Sequence, residues 1–186
     1  MSQNFYIPNH MTAIVTTGNG GFDKLSHKIV KTPAINKNEV LVKVLAAGIN
    51  NTEINTRIGW YSSSVQSGTE TLHKNIEEVR SYKNTGWNGD TNFPLIQGTD
   101  CCGIVVNCKD NKFNSLLGKR VIIRPCIRIE GFSSRQKIWM ASNVDGAFAE
   151  YVKVPATEVF PIDCDWSDAE SATIPCSYGT SENMLL

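Results

Sequence analysis

Residues 93–106 read "FPLIQGTDCCGIVV": a proline, a glycine, an acid and two adjacent cysteines ahead of a β-branched run. The run from Gly103 onward has the apolar, turn-bounded character of a buried strand. What precedes it carries the chemistry. Asp100, Cys101 and Cys102 are candidates for holding a metal, attacking a substrate, or simply opening the strand. Neighbours on an extended chain point to opposite faces, so Cys101 and Cys102 do not both line one pocket and at least one of them is packing. The other cysteines argue the same way. There are six, at 101, 102, 108, 126, 164 and 176, with no C-x-x-C pair, and His10, His27 and His73 stand at no finger spacing from them. "MSQNFYIPNHM" has no basic region followed by an apolar one, so no signal peptide is expected. Without one, an even cysteine count does not imply disulfides, and a small buried hydrophobe is the default reading of each thiol.

The chain of 186 residues suffices for one domain with a real core, or for one domain and part of a second. Lys plus Arg and Asp plus Glu cancel at 18 each, and no basic patch with interleaved aromatics appears, so a nucleic-acid partner is not expected. The longest apolar stretch, "VLVKVLAAGI", has ten residues with a lysine inside and is too short to span a bilayer. The expectation is a soluble, cytoplasmic protein with no membrane partner.

Upstream of the opening stretch, "MTAIVTT" (11–17) and "KLSHKIVKTP" (24–33) read as short strands parted by the turn "GNGGFD". His27 sits on the second as an edge or half-buried strand residue. "VLVKVLAAGIN" (40–50) is a well-buried strand. In "NNTEINTRIGW" (50–60), Asn50, Asn51 or Thr52 can cap a short helical turn that Gly59 can stop. Residues 61–92 form a polar excursion. Within it Leu72, Ile76 and Val79 recur at helical spacing, and Ser67 with Glu70 can form a capping box. Downstream come the strand "CGIVVNC" (102–108), a hairpin-like "KDNKFNSLLG", and the strand "KRVIIRP" (119–125). The less regular 126–144 follows, then a half-exposed strand "AFAEYVKVP" (147–155) and "VFPID". Ser167, with Glu170 three later, starts a short helix, and "SYGTSENMLL" opens another. Short strands with helices mainly late indicate a β-rich barrel or sandwich. No G-x-G-x-x-G follows a strand and no phosphate-binding P-loop pattern occurs, so no nucleotide motif lies within these residues.

Five segments in order, "VLVKVLAAGINNTEINTRIGWY", "FPLIQGTDCCGIVV", "LGKRVIIRP", "DGAFAEYVKVPATEVFPID" and "SDAESATIPCSYGTSENML", resemble the medium-chain dehydrogenase/reductase superfamily. Its subunits pair an N-terminal GroES-like β-barrel catalytic domain with a C-terminal Rossmann domain. The resemblance implies a mainly β fold with short helices, a partly open GroES-like barrel over 11–176 with 61–92 inserted. Residues 177–186 would then begin the helix leading to a Rossmann domain that this chain does not contain. The chain would be an excised domain or a truncated reading frame.

In the zinc alcohol dehydrogenases of that superfamily the stretch after the proline reads Gly-His-Glu, and the histidine binds catalytic zinc. Here it reads Gly98-Thr99-Asp100. The family's first ligand, a cysteine after the "AAG" strand, is matched by Asn50; the third has a counterpart in Cys176. Catalytic zinc asks for three protein donors of nitrogen, sulfur or carboxylate type, so no metal is expected, the one alternative being an improvised set of Asp100, Cys101 and Cys176. "GIN" (48–50) instead matches the non-zinc, quinone oxidoreductase-like and enoyl reductase-like branch. That branch transfers hydride from NADPH to a conjugated or quinone carbonyl.

By this resemblance Asn50, Thr52 and Asp100 are the catalytic positions, and Asn50 and Thr180 face the cofactor. Trp60 and Tyr61 line the substrate cleft. Asn50 reads equally as a helix cap, and Thr180 as the N-cap of the last helix. Asp100 reads as a buried carboxylate ordering the cleft floor by hydrogen bonds to backbone or to a basic partner. NADP(H) is the implied cofactor, held mainly by the absent half. The implied partners are a small-molecule carbonyl substrate and, as one option, a second copy in a homodimer. A zinc alcohol dehydrogenase domain and a stand-alone GroES-like binding or assembly module are the competing readings.

Overall fold

The computed structural model describes residues 5–66, 68, 85, 86, 88–129, 133 and 136–185. The helix expected around Leu72, Ile76 and Val79, its Ser67–Glu70 capping box and His73 lie outside them.

Among the described residues ten strands make three sheets. β1 (His10–Thr16) lies between β2 (Leu25–Lys31) and the short β4 (Leu95–Ile96) in a three-stranded sheet. A five-stranded sheet has the order β10-β6-β5-β3-β9, with β3 (Glu39–Ala46), β5 (Cys102–Cys108), β6 (Arg120–Ile123), β9 (Tyr151–Pro155) and β10 (Val159–Pro161). β7 (Cys126–Arg128) and β8 (Lys137–Trp139) pair as a ribbon. Three α-helices complete the described chain: α1 (Asn51–Arg57), α2 (Asp168–Ala172) and α3 (Ser177–Leu185). This is the mainly β, open-sheeted arrangement expected of a GroES-like domain.

The consecutive apolar residues of β3 (40–42) and β5 (104–106) have a physical cause: both faces of the five-stranded sheet are covered there. Val40 and Val42 of β3 and Val105 of β5 join one core cluster with Val121, Ile123, Val152 and Val154. Leu41 and Val106 point the other way, into a second cluster with Met11, Ala13, Val15 and Tyr151. β1 alternates cleanly, burying Met11, Ala13 and Val15, because only one of its faces meets a core. β2 is an edge strand with His27 exposed, in keeping with its mixed composition.

Three segments differ from the sequence reading. The hairpin-like 109–118 is built around a 3-10 helix, Asn111–Leu116. The irregular 126–144 contains the β7–β8 ribbon. The strand expected over 147–155 begins as β9 only at Tyr151, because the residues before it change sheets. Gly146, Ala147 and Phe148 donate their N–H groups to the carbonyls of Ile96, Gly98 and Gln97. Ile14 N–H bonds the Phe148 carbonyl and Glu150 N–H the Thr12 carbonyl. Val44 N–H reaches the Glu150 carbonyl at 2.9 Å, so this segment sews the two larger sheets together. The opening stretch lies against that seam, which fixes where Thr99 and Asp100 stand.

Candidate active site

Gly98 has φ of +105°, and a Cβ there would lie 2.7 Å from a ring carbon of Phe148 and 2.8 Å from its backbone nitrogen. Only glycine accepts both the angle and the approach. The turn delivers Thr99 and Asp100, each about 1% exposed, to the N-terminal end of α1.

α1 starts at Asn50, in extended conformation. Glu53, three residues on, returns its carboxylate to the Asn50 N–H at 2.7 Å. The other oxygen of Glu53 accepts from the Thr99 N–H at 2.8 Å and from the Thr99 hydroxyl at 2.6 Å. The Glu53 carbonyl accepts from Gln97 Nε2 at 3.0 Å, and Gln97 in turn accepts from the Thr16 hydroxyl at 2.8 Å. Glu53 therefore ties the helix start to the Thr99 turn through its buried carboxylate and, through its backbone carbonyl and Gln97, to β1. The far end of α1 is held by Asn19, which donates to the carbonyls of Thr56 and Arg57, and by Arg57, which donates to Gly20 at 2.6 Å.

Asn50 directs its side-chain nitrogen to Asp100 Oδ2 at 2.8 Å and to the Thr99 hydroxyl at 3.3 Å. Its Oδ1 accepts from the Ser177 hydroxyl at 3.1 Å. The other oxygen of Asp100 accepts the Cys176 N–H at 2.7 Å. Asp100 is thus a buried carboxylate engaged by a backbone N–H and a neutral amide. Room for it exists because residue 48 is glycine: a Cβ there would lie 3.0 Å from both Cβ and Oδ2 of Asp100 and 3.1 Å from the Ala172 carbonyl. Burial raises both Glu53 and Asp100 above the usual carboxylate range, with the hydrogen bonds just named working in the opposite direction.

α3 enters the site with Cys176 and Ser177. Burial pushes the Cys176 thiol up; the Thr99 and Thr52 hydroxyls pull it down, and the Asp100 and Glu53 carboxylates push it further up. The segment before α3 is fastened to β6 by Arg120, which donates to Asp168 at 2.8 Å, to the Ser171 hydroxyl at 2.9 Å and to the carbonyls of Cys164 and Trp166. Ser167 caps α2, with Glu170 closing the box as the spacing predicts.

The structure brings Asn50, Thr52, Thr99, Asp100 and Cys176 together, sets Thr180 one helical turn beyond Cys176, and separates Trp60, Tyr61 and Cys101 from them. Trp60 and Tyr61 pack edge to face at 5.6 Å past the C-terminal end of α1, where Trp60 joins Ile54, Ile58 and Val65. Thr180 is not an N-cap: it lies inside α3, exposed, and its hydroxyl donates to the Cys176 carbonyl at 2.8 Å. Cys101 turns away from Asp100 into the main core, fully buried, where burial pushes its thiol far up. Cys102 faces the other way, towards Asp168 at 3.8 Å. The set Asp100, Cys101 and Cys176 therefore does not converge, because strand alternation carries Cys101 to the opposite face. Glu53 and Ser177 were missing from the sequence reading. Asn50-x-x-Glu53 is itself a capping-box spacing and could have indicated the first; nothing local indicates the second.

The domain model described as "Alcohol dehydrogenase GroES-like domain" matches residues 36–164, more than half of the chain. The chain belongs to the alcohol dehydrogenase GroES-like family. Its relatives are medium-chain dehydrogenases/reductases, whose alcohol dehydrogenase-like N-terminal domain it resembles. Among curated proteins the domain is 28% identical over 171 residues to a crotonyl-CoA carboxylase/reductase of Cereibacter sphaeroides, covering 85% of this chain and 34% of that one. It is 30% identical over 143 residues to an L-threonine 3-dehydrogenase of Streptomyces coelicolor, covering 73% of this chain and 36% of that one. A solved protein of Sinorhizobium meliloti 1021, provisionally assigned as an alcohol dehydrogenase, superposes with a TM-score of 0.78 at 36% identity, over 96% of this chain and 47% of that one. The GroES-like domain spans half or less of the length of these relatives. Among the described residues no helix is long and apolar enough to cross a membrane.

A catalytic zinc of the kind some members of this superfamily carry would need donors from residues 50, 99 and 176. In this domain the Asn50 nitrogen is directed to Thr99 and Asp100, and the Thr99 hydroxyl is donated to Glu53. Cys176 is the one sulfur, raised by burial. Among the described residues no three His, Cys, Asp or Glu side chains gather as a metal-binding group. The donor set does not fit the ion.

Proposed function

We propose that this chain is the catalytic wall of a zinc-independent, NAD(P)H-dependent oxidoreductase acting on a small conjugated carbonyl compound, an enone, quinone or enoyl derivative, in the cytoplasm. The observation that carries the reading is the 2.8 Å bond between Asn50 and Asp100. A neutral amide, held by a buried carboxylate, occupies the place beside Cys176 where the zinc branch has a ligand. "GIN" at 48–50 and the kinship with a crotonyl-CoA carboxylase/reductase support the enoyl and enone side of the superfamily.

A nicotinamide cofactor, when bound, supplies hydride; the protein's part is position and polarisation. Asn50 holds one edge of the cleft in fixed orientation. Thr52, on the first turn of α1 and half-buried, offers a hydroxyl to the substrate oxygen on which negative charge develops. Asp100 acts through Asn50 and through the start of α3 rather than by proton transfer, since both its oxygens are already hydrogen-bonded. Thr180, on the exposed side of α3, lies along the approach we assign to the cofactor. Tyr178, Met184 and Leu185 are also exposed on α3, at 60, 83 and 85%, an apolar surface suited to a second, cofactor-gripping domain.

The reading predicts that these 186 residues alone bind NADPH and NADH weakly and do not oxidise them with a simple enone such as cyclohexenone. Titration calorimetry checks it. Dissociation constants weaker than about 100 μM, near −5.5 kcal/mol, are expected. Submicromolar binding would contradict the division of labour.

A further inference from the structure

We infer that Asp100 is the specificity-determining neighbour of Asn50: it fixes the amide with its oxygen edge outward, so that the ligand group seated against Asn50 is an N–H or O–H donor and not a carbonyl. This rests on the cleft role proposed above, and it follows from counting hydrogen-bond capacity. An asparagine amide has two N–H donors and one accepting oxygen. Asp100 Oδ2 lies 2.8 Å from the Asn50 nitrogen and Thr99 Oγ1 lies 3.3 Å from it, so both donors are directed inward. Thr99 Oγ1 accepts there because its own proton goes to Glu53 at 2.6 Å. A carboxylate has no proton to give, so the amide cannot turn its oxygen towards Asp100 without placing two acceptors against each other. Asp100 is itself immobilised by the Cys176 N–H at 2.7 Å on its other oxygen.

The outward edge is therefore Oδ1. It receives the Ser177 hydroxyl at 3.1 Å and keeps a second lone pair for a ligand. A primary carboxamide, such as that of nicotinamide, or the hydroxyl of an alcohol, satisfies that lone pair. A ketone or aldehyde oxygen does not, and the donor it needs is the Thr52 hydroxyl. Among conservative changes at the site, Asp100→Asn reverses the demand on Asn50. The Cys176 N–H fixes the new amide with its oxygen on that side, so its nitrogen faces Asn50. Asn50 then flips to accept from it, the Thr99 hydroxyl turning its proton from Glu53 to the Asn50 oxygen, and the Asn50 donor edge turns outward.

The Asn50 side-chain amide signals, identified by their loss in Asn50→Asp, report the orientation directly. In the wild-type chain near pH 6, both protons are expected to exchange with solvent at least about tenfold more slowly than those of an exposed asparagine. In Asp100→Asn they should lose that protection. Exposed-type exchange in the wild type, or protection unchanged in Asp100→Asn, overturns the inference. The wild-type measurement decides alone should the variant not fold. Titration with nicotinamide and with 3-acetylpyridine, which replaces the carboxamide by a pure acceptor, separates the two claims. A larger shift of the Asn50 signals with nicotinamide is expected, and a larger one with 3-acetylpyridine overturns the inference. A protected amide that responds to neither probe upholds the assigned orientation and counts against the cleft role proposed above.

Discussion

Gly103→Ala is expected to cost the domain on the order of 4 kcal/mol, enough to lower its melting temperature by roughly 10 °C or to prevent accumulation of folded chain. Gly103 lies on β5 opposite Val44 of β3 and Val121 of β6, in the middle of the five-stranded sheet. A Cβ at this position would fall 2.4 Å from the Lys43 carbonyl oxygen and 2.5 Å from a methyl of Val42. The first of these is backbone, part of a strand paired on both sides, so it cannot swing aside as a side chain would. β3 is irregular here: its register against β5 shifts between Val44 and Ala46. The glycine lets the shifted strand approach closely. Thermal unfolding followed by circular dichroism measures the effect, and a change below about 1 kcal/mol would mean the approach is looser than described.

The second large effect is expected at Glu53. Glu53→Ala strips the acceptor from three donors at once: the Asn50 N–H, the Thr99 N–H and the Thr99 hydroxyl. An orphaned buried donor costs about 1–3 kcal/mol, and the hydroxyl can rotate to another partner, so a loss of about 4 kcal/mol is expected. Glu53→Gln keeps an acceptor for Thr99 and loses one bond, so it should cost less than half as much. Wild type and Glu53→Gln differ in their response to pH. Glu53 is raised above its ordinary value of 4.5 by burial, so the folded state holds its proton longer than the unfolded state does. Its contribution is therefore fully present below pH 4.5 and is lost as pH rises through the folded-state value. The stability gap between wild type and Glu53→Gln should narrow between pH 4 and pH 7. A gap that widens would mean that the carboxylate is better accommodated charged than neutral.

What could be read in the sequence divides along a physical line. β3 and β5 were legible because their β-branched runs need cover on both faces, and α2 because Ser167 and Glu170 cap it locally. The mainly β class followed from such segments. The 147–150 segment was not legible as a sheet crossing: its alternation of Phe148 and Glu150 against Ala147 and Ala149 is what a single half-exposed strand also requires. Asp100 reads as a buried acid through the family resemblance alone, and which groups would face its two oxygens is set by the approach of Asn50 and Cys176, 50 and 76 positions away. The Asn50–Ser177 contact spans 127 positions and rests on how α2 docks through Arg120, which no local pattern encodes. Alternation alone does not say which of the adjacent Cys101 and Cys102 faces the cleft, so the place of Cys101 in the main core is legible only in the fold.

The chemistry proposed here depends on residues 50, 99 and 176 forming a hydrogen-bonded wall rather than a metal shell. Elemental analysis of the chain, produced with zinc in the medium and freed of loosely held ions, tests this most directly. Far less than one transition-metal ion per chain is expected, with no change on Cys176→Ser. One zinc per chain that disappears with Cys176→Ser would contradict it.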